Sequence, residues 1–474
     1  MEEGVVIRVQ QTDYLVIGAG AMGMAFTDAL IDHADVHVTL VDRRHSPGGH
    51  WEDAYPFVRL HQASQFYGVA STVLGTGTIQ RDGPERGLHE RARRSEILAY
   101  YDDILTRRFI GSGRVTFLGG HEYSADGGSH RATSRVTGET VRIEVRRRVV
   151  DAAYLSPTIP ATTPPPFGVA GDARVVPVND LARLGDAPSR FVVVGSGKTA
   201  TDAIVWLLGH GVDPDRICWV RPREPWMLNR AVVQPDPLIG LGLAVDTMTA
   251  AAGADSVDDL FLRLEAAGVM LRIDPDRVPS MAKAPTLGAW ELDLLRTVED
   301  VIRLGHIESV TGTEMVLAGG TVGLEPGALV VHAAASGLQY PPLVPLWQPD
   351  IIRLQTSRPG FPCFNAALAG YVEATRDDDR EKNRLCPPTN LPNTPLDWVQ
   401  MQVRGSVAMQ GLAREPDIVQ WANRCALDPS RVEDAKQADP DVQQARNRLG
   451  EVAEPGLARM AELGGMSPDA RAGL

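Results

Sequence analysis

At 474 residues, with 43% apolar and 23% charged side chains, the chain has the composition of a soluble globular protein and the length for two or three domain cores. A formal net charge of −13 argues against nucleic acid or an anionic membrane surface as a partner. No apolar run reaches the roughly 18 residues of a membrane span, and Met1-Glu2-Glu3 lacks the basic start and apolar core of a secretory signal, so a cytoplasmic protein is expected.

The first element is an apolar run, Tyr14-Leu15-Val16-Ile17, which breaks at Gly18-Ala19-Gly20-Ala21-Met22-Gly23 and continues as an Ala/Leu-rich helical stretch. A G-x-G-x-x-G turn between a strand and a helix is a dinucleotide signature. Its first glycine makes the turn, its second lets the backbone approach a pyrophosphate, and its third lets helix and strand pack closely. The helix N-terminus adds free N–H groups and a partial positive charge for the phosphates. The next strand, Val36 to Val41, ends in Asp42, at the interval where a carboxylate accepts hydrogen bonds from an adenosine ribose. The alternative is an acid that caps a strand end. A turn this early in the chain, followed by the acid, is the arrangement expected for FAD.

A helix is predicted from Arg91 to Phe109, then a strand-rich stretch from Arg114 to Tyr154 with turns at Gly119-Gly120 and Gly127-Gly128. Pro157, Pro160 and Pro164-Pro165-Pro166 form a stiff connector. A second apolar run, Phe191 to Val194, opens onto Gly195-Ser196-Gly197-Lys198-Thr199-Ala200 and another helix. Two such turns predict two dinucleotides held face to face, and so electron transfer. The strand after the second turn, Ile217 to Val220, ends in Arg221-Pro222-Arg223 rather than in an acid. Guanidinium groups there can pair with a 2′-phosphate, which points to NADPH over NADH; the alternative is a pair of solvated surface arginines. Gly197-Lys198-Thr199 is not an ATP-binding loop, because the position five residues before Gly197 is Val192, inside the strand. Lys198 is instead placed near the nicotinamide nucleotide's phosphates, or on the helix surface.

The fold class expected is α/β, with two Rossmann-like dinucleotide-binding domains. An FAD domain (12–165, returning at 327–376) is interrupted by an NADPH domain (188–326). The latter carries a helical insertion at about 237–304, and a helical C-terminal extension follows at 377–474. The run Ala328 to Ala333 reads as a buried strand, with His332 a core histidine. Trp226 and Asn229-Arg230 either line the nicotinamide pocket or pack the loop. Asp377-Asp378-Asp379 reads as a solvated face, without the glycine and closing glutamate of a calcium loop. The four cysteines, Cys218, Cys363, Cys386 and Cys425, form no close pair, which disfavours metal sites, disulfide frameworks and disulfide-reductase chemistry.

On Gly18 to Gly23, Asp42-Arg43, Gly48-Gly49-His50-Trp51, Tyr55 to Tyr67, Gly195 to Ala200 and Arg221, the chain resembles the flavin-containing monooxygenases and the related Baeyer–Villiger and N-hydroxylating enzymes. The resemblance covers residues 12–235, and the remainder in outline. It implies that Gly49, His50 and Trp51 lie along FAD with Asp42 and Arg43. It also implies that the loop from Tyr55 to Gln62 puts Gln62 beside the flavin's reactive edge, with His61 and Arg59 close by. Asn365 falls on a stretch expected to return toward the isoalloxazine, or else is a cap or turn asparagine. Two departures stand out. The family's F-x-G-x-x-x-H signature is reduced to Phe167-Gly168-Val169-Ala170-Gly171, with Val175 to Asn179 where the histidine would follow. The Ala-Thr-Gly strand ends are replaced by Ala152-Ala153-Tyr154 and Ala335-Ser336-Gly337. A divergent branch serving specialised metabolism fits these departures.

The implied activity is insertion of one oxygen atom of O₂ into a small organic substrate, of N-, S- or Baeyer–Villiger type, through a C4a-(hydro)peroxyflavin. Gln62, Arg59 and Asn365 are the catalytic candidates. Gly18, Gly20, Gly23, Asp42, Arg43, Gly49, His50, Trp51, His61, Gly195, Gly197, Lys198, Thr199, Ala200, Arg221 and Arg223 are the cofactor-binding candidates. One alternative is an NADPH-dependent flavin reductase or dehydrogenase without oxygen transfer. Another is a non-catalytic dinucleotide-binding protein. The amphipathic C-terminal extension is compatible with a homodimer.

Overall fold

The structure, a computed structural model, describes residues 8–466 apart from Ser336 and Leu338. The Met1-Glu2-Glu3 start and Ser336 of the Ala335-Ser336-Gly337 strand end lie outside the described residues.

The apolar run ending at Ile17 becomes the end of a strand, Arg8–Ile17, at the centre of a sheet. It pairs in parallel with Val38–Asp42 on one side and Thr140–Asp151 on the other. The path continues to Val115–Gly119 at one edge and to Ile351–Arg353 and Trp347–Gln348 at the other, while the hairpin His121–Asp126/Ser129–Ser134 extends from Thr140–Asp151. Val16 and Leu40 face one apolar core, Leu15 and Val41 another, as expected of parallel strands covered on both faces. The helices Ala21–His33 and Pro362–Thr375 cross closely on one face. A Cβ on Gly370 would meet the Phe26 carbonyl oxygen at 2.5 Å, so only glycine allows that approach. The predicted helix at 91–109 begins later, at Arg94, and its last turn widens over Ile104–Phe109.

The second sheet is wholly parallel, in the order Val175–Pro177, Leu329–His332, Phe191–Val194, Ile217–Val220, Val301–Ile302. Two of these strands lie outside the expected limits of 188–326. Leu329–His332, assigned by sequence to the return into the first domain, pairs Phe191 with Leu329 and Val194 with His332. An apolar run shows that a strand is buried on both faces but not which sheet it joins. The chain re-enters the first sheet only at Trp347.

The insertion is also less helical than its Leu/Ala periodicity suggests. Beside the helices Pro237–Ala252, Val257–Ala266 and Ala289–Leu295 it holds the strands Met270–Arg272 and Met281–Leu287, which flank Pro225–Asn229 in a three-stranded sheet. In the C-terminal region, helices begin at Pro395, Pro416 and Pro440. The proline breaks are thus helix starts, where a fixed φ and a missing N–H cost nothing. The helix Pro440–Leu463 lies against Pro237–Ala252, with Gly456 so close to Met248 that a Cβ would meet its carbonyl oxygen at 2.5 Å. Trp226, Phe261, Leu264, Trp398, Met401 and Met460 share one core there. Insertion and extension thus share a core, while Trp421 of the extension stacks on Phe364 and Tyr371.

Candidate active site

At the first turn, Gly18 has φ +103°, a conformation open to glycine and strained for other residues. A Cβ on Gly23 would run into the Gly18 carbonyl oxygen, so the third glycine seats the helix on the strand. The helix Ala21–His33 has no side-chain cap and no acid in its first turn, leaving its N–H groups for an anion. Gly49, at φ +59°, lies against Gly20; a Cβ there would approach the Gly20 Cα to 2.9 Å. Asp42 is buried and fastens this turn itself: its carboxylate accepts from the Ala19 N–H and the Arg44 N–H, each at 2.7 Å. It thus caps its own strand end and ties that end to the glycine turn, and each carboxylate oxygen keeps a lone pair open. Arg43 is exposed. Burial, with Arg44 nearby, lowers the His50 pKa to about 4, keeping that ring neutral. Trp51 is buried and donates from Nε1 to the Tyr67 hydroxyl at 2.6 Å.

The second turn repeats the backbone. Gly195 has φ +139°, and a Cβ there would meet the Ala333 carbonyl oxygen at 2.9 Å. Gly197 is open, with nothing within 4 Å of where a Cβ would stand. The helix Lys198–Gly209 is likewise uncapped and free of acids in its first turn, Thr199 is half-buried and Ala200 fully buried. Both turns therefore have the shape and free donors that a dinucleotide pyrophosphate requires.

The side chains around the second turn depart from expectation. Lys198 is neither on the helix surface nor free for phosphate: it is buried and paired with Asp202 and, at 3.1 Å, with Glu291. Nor are Arg221 and Arg223 solvated surface arginines. Arg221 is buried, its guanidinium carbon 4.5 Å from the Trp219 ring centroid, and it pairs with Glu224 at 3.0 Å. Burial lowers its pKa. Arg303 joins the same Glu224 at 2.7 Å and also Asp274, making a balanced group of two cations and two acids. Arg223 donates to Asn393 Oδ1 at 2.7 Å, and its N–H donates to Ser196 Oγ at 3.3 Å.

Between the turns runs the loop from Tyr55 to Gln62. Its Leu60 carbonyl accepts from Arg91 Nη1 at 2.9 Å. Its His61 carbonyl accepts from Arg230 Nε at 2.9 Å and from the Thr286 hydroxyl. Tyr55 donates to Asp202 at 2.6 Å. His61 is half-buried. Burial, then the Lys198 charge, lowers its pKa to about 3. Gln62, next to it, is half-buried.

Arg59 and Asn365 do not occupy the positions expected of catalytic groups. Arg59 is exposed and bridges through its backbone to Arg93. Asn365 is buried, and its amide is consumed by the preceding loop. Oδ1 accepts from the Ser357 and Arg358 N–H groups at 2.8 and 2.9 Å, and Nδ2 donates to the Gly360 carbonyl at 2.8 Å. It is a loop staple, as the turn-asparagine alternative has it. Trp226 packs on Phe261 in the insertion core rather than lining a nucleotide pocket. His332 is buried, edge-on to Phe167.

Sequence reasoning missed Glu85, Arg91, Asp202, Thr286 and Glu291. The one visible signal was an acid within the apolar stretch Ala289-Trp290-Glu291-Leu292. Among the described residues, all four cysteines are buried and unpaired, no acid/His/Cys group suits a metal, and no helix is long and apolar enough to cross a membrane.

A family model described as an NAD(P)-binding Rossmann-like domain matches residues 16–63. The uncharacterized protein Rv2000 of Mycobacterium tuberculosis is 41% identical over 420 residues, covering 88% of this chain and 77% of its own length. The uncharacterized protein Mb2023 of Mycobacterium bovis matches to the same extent. Among solved structures, the polycyclic ketone monooxygenase of the thermophilic fungus Thermothelomyces thermophila is similar with a TM-score of 0.53 at 12% identity, covering 97% of this chain and 86% of that one. At that identity what is shared is the fold.

Proposed function

We propose, for a chain that belongs to one family with the mycobacterial proteins Rv2000 and Mb2023 and shares the two-dinucleotide-domain fold of flavoprotein monooxygenases, that it is a flavin- and nicotinamide-dependent oxidoreductase. More narrowly, we read it as an FAD- and NADPH-dependent monooxygenase. NADPH, a proton, O₂ and a small organic substrate would yield NADP⁺, water and the oxygenated product. The observation that carries this is the pair of uncapped helix N-termini, each behind a glycine turn of positive φ, in one chain.

The Ala21–His33 helix and Asp42 would hold FAD by pyrophosphate and ribose, and the Lys198–Gly209 helix would hold NADPH, with Arg221 and Arg223 near its 2′-phosphate. When bound, FAD supplies the chemistry that links NADPH oxidation to reaction with O₂. The residues of this chain bind, orient and exclude water. Gln62 is the polar side chain we place beside the reacting oxygen, on a loop held at Leu60 and His61 by two guanidinium groups. His61 and His50 are both kept neutral near pH 7.

The test is addition of NADPH in air to the flavin-loaded protein, without substrate, following the spectrum in time. Bleaching followed by a lasting near-ultraviolet band, with hydrogen peroxide released late, supports oxygen transfer and justifies an amine, sulfide and ketone screen. Immediate reoxidation with stoichiometric hydrogen peroxide replaces it with a flavin reductase. Failure to bind FAD at all overturns both and leaves a non-catalytic nucleotide-binding protein.

A further inference from the structure

Six charged side chains, five buried and one half-buried, join the two halves of the molecule. Lys198, the first residue of the second-site helix, pairs with Glu291 Oε1 at 3.1 Å. Glu291 Oε2 takes Arg230 Nη2 at 2.6 Å and the Gly288 N–H at 2.7 Å. Arg230 Nη1 reaches Glu85 Oε1 at 2.5 Å, and Glu85 is gripped by Arg91 at 2.6 and 2.9 Å. Asp202 completes the set on Lys198. The free ends of the two guanidinium groups hold the carbonyls of Leu60 and His61. Three carboxylates thus face three cations, and all of them come from separate parts of the chain: residues 85–91, 198–202, 230 and 291.

The first turn of a dinucleotide-binding helix is where a pyrophosphate sits, and Lys198 is the cation of this cluster on that turn. An anion arriving there attracts Lys198, and Glu291 is one of the two carboxylates that must release or follow it. Glu291 grips Arg230 with its other oxygen, and Arg230 grips the His61 carbonyl. Each link is a charge-assisted hydrogen bond in surroundings that exclude water, where such bonds are strong and geometrically demanding.

We propose that Glu291 is a positioning residue that couples occupation of the second nucleotide site to the loop at residues 58–62, through Lys198 on one side and Arg230 on the other. It touches neither dinucleotide itself. The inference rests on the proposed second site being a nicotinamide dinucleotide site, and it holds whether or not oxygen transfer follows.

The experiment is amide hydrogen exchange of the flavin-loaded protein with and without NADP⁺, read on peptides spanning residues 55–67, alongside an NADP⁺ titration followed by calorimetry. In the wild type, NADP⁺ should change exchange of the loop amides by fivefold or more. In Glu291→Gln, NADP⁺ should bind within about threefold of wild type while the change in the loop disappears, and flavin reduction by NADPH should lose kcat at nearly constant KM. Because Glu291→Gln leaves a buried excess of positive charge, the paired variant Lys198→Met/Glu291→Gln keeps the cluster neutral and should give the same uncoupling. Glu308→Gln, an exposed site, should behave as wild type. A wild-type loop that ignores bound NADP⁺, or a response that persists in the neutral double variant, overturns the coupling and leaves the proposed function standing. No NADP⁺ binding to the wild type overturns the second-site assignment and the coupling together.

Discussion

The two glycine turns share a backbone and differ in what surrounds it. At the first, the carboxylate of Asp42 accepts two backbone N–H groups, Ala19 in the turn and Arg44 just past its own strand, and meets no cation among the described residues. At the second, Lys198, Arg221 and Arg303 are each held by acids: Asp202 and Glu291, or Glu224 and Asp274. One turn is tuned by hydrogen bonds within a single strand–turn–helix unit. The other is embedded in ion pairs that reach across the molecule. A motif of glycines therefore specifies where a pyrophosphate fits, and says little about which nearby charges are free to meet it.

Breaking the first turn should have the largest effect. Gly23→Ala places a methyl group on the Gly18 carbonyl oxygen, and the expected outcome is protein that is insoluble or purifies without flavin, read by the visible spectrum. Next comes the junction between the turns. Glu85→Ala leaves Arg91 a buried charge without a carboxylate and takes one of Arg230's two acids, Glu291 remaining, which should lower unfolding free energy by about 3–5 kcal/mol in urea titrations.

Acid should act between those extremes. His50 and His61 have folded pKa values of about 4 and about 3, against 6.5 for a free histidine. Below pH 6.5 the unfolded chain takes up protons that the folded one refuses, so stability falls with pH down to those values. Each histidine contributes a slope of at most about 1.4 kcal/mol per pH unit, and His61→Gln should flatten its share in the flavin-free protein. Glu291, depressed to about 2 from 4.5, stabilises the fold above pH 4.5 and adds a further loss as pH falls from there toward 2.

Arg221→Ala should weaken NADPH binding roughly tenfold or more and leave NADH nearly unchanged, since one charge-assisted bond is worth about 1.5–3 kcal/mol. Equal loss for both nucleotides would mean that Arg221 serves only Glu224 and Trp219. Gly197→Ala should do least to the fold. Nothing stands near its Cβ, so melting temperature should hold within about 2 °C, in contrast to Gly23→Ala at the equivalent-looking turn.

Local features were legible in the sequence because they depend on neighbours along the chain. The two turns, the strands that lead into them and the helices that follow depend on residues within one strand–turn–helix unit. The pairing of Glu85 with Arg230, 145 positions apart, has no local signature. Asn365 looked like a site residue because it lies in a stretch returning to the first domain, yet its amide closes a loop eight or fewer residues away. Lys198 was misplaced for a similar reason: helix position shows which way it starts, while Glu291, 93 positions later, decides where it ends. The Leu329–His332 strand was visible as a strand, but its partner sheet is chosen by Phe191–Val194.

The contact between Pro237–Ala252 and Pro440–Leu463 sets a schedule for synthesis. At about 5–20 residues per second, roughly 10–40 s pass after the first of these helices leaves the ribosome before the second is made. Until then Met248 and its neighbours lack the surface that Gly456 allows to settle on them. The insertion must wait, with part of its apolar face open to solvent, for the end of its own chain. A ribosome stalled before Pro440 would therefore present a sticky nascent protein whose two nucleotide domains are already in place.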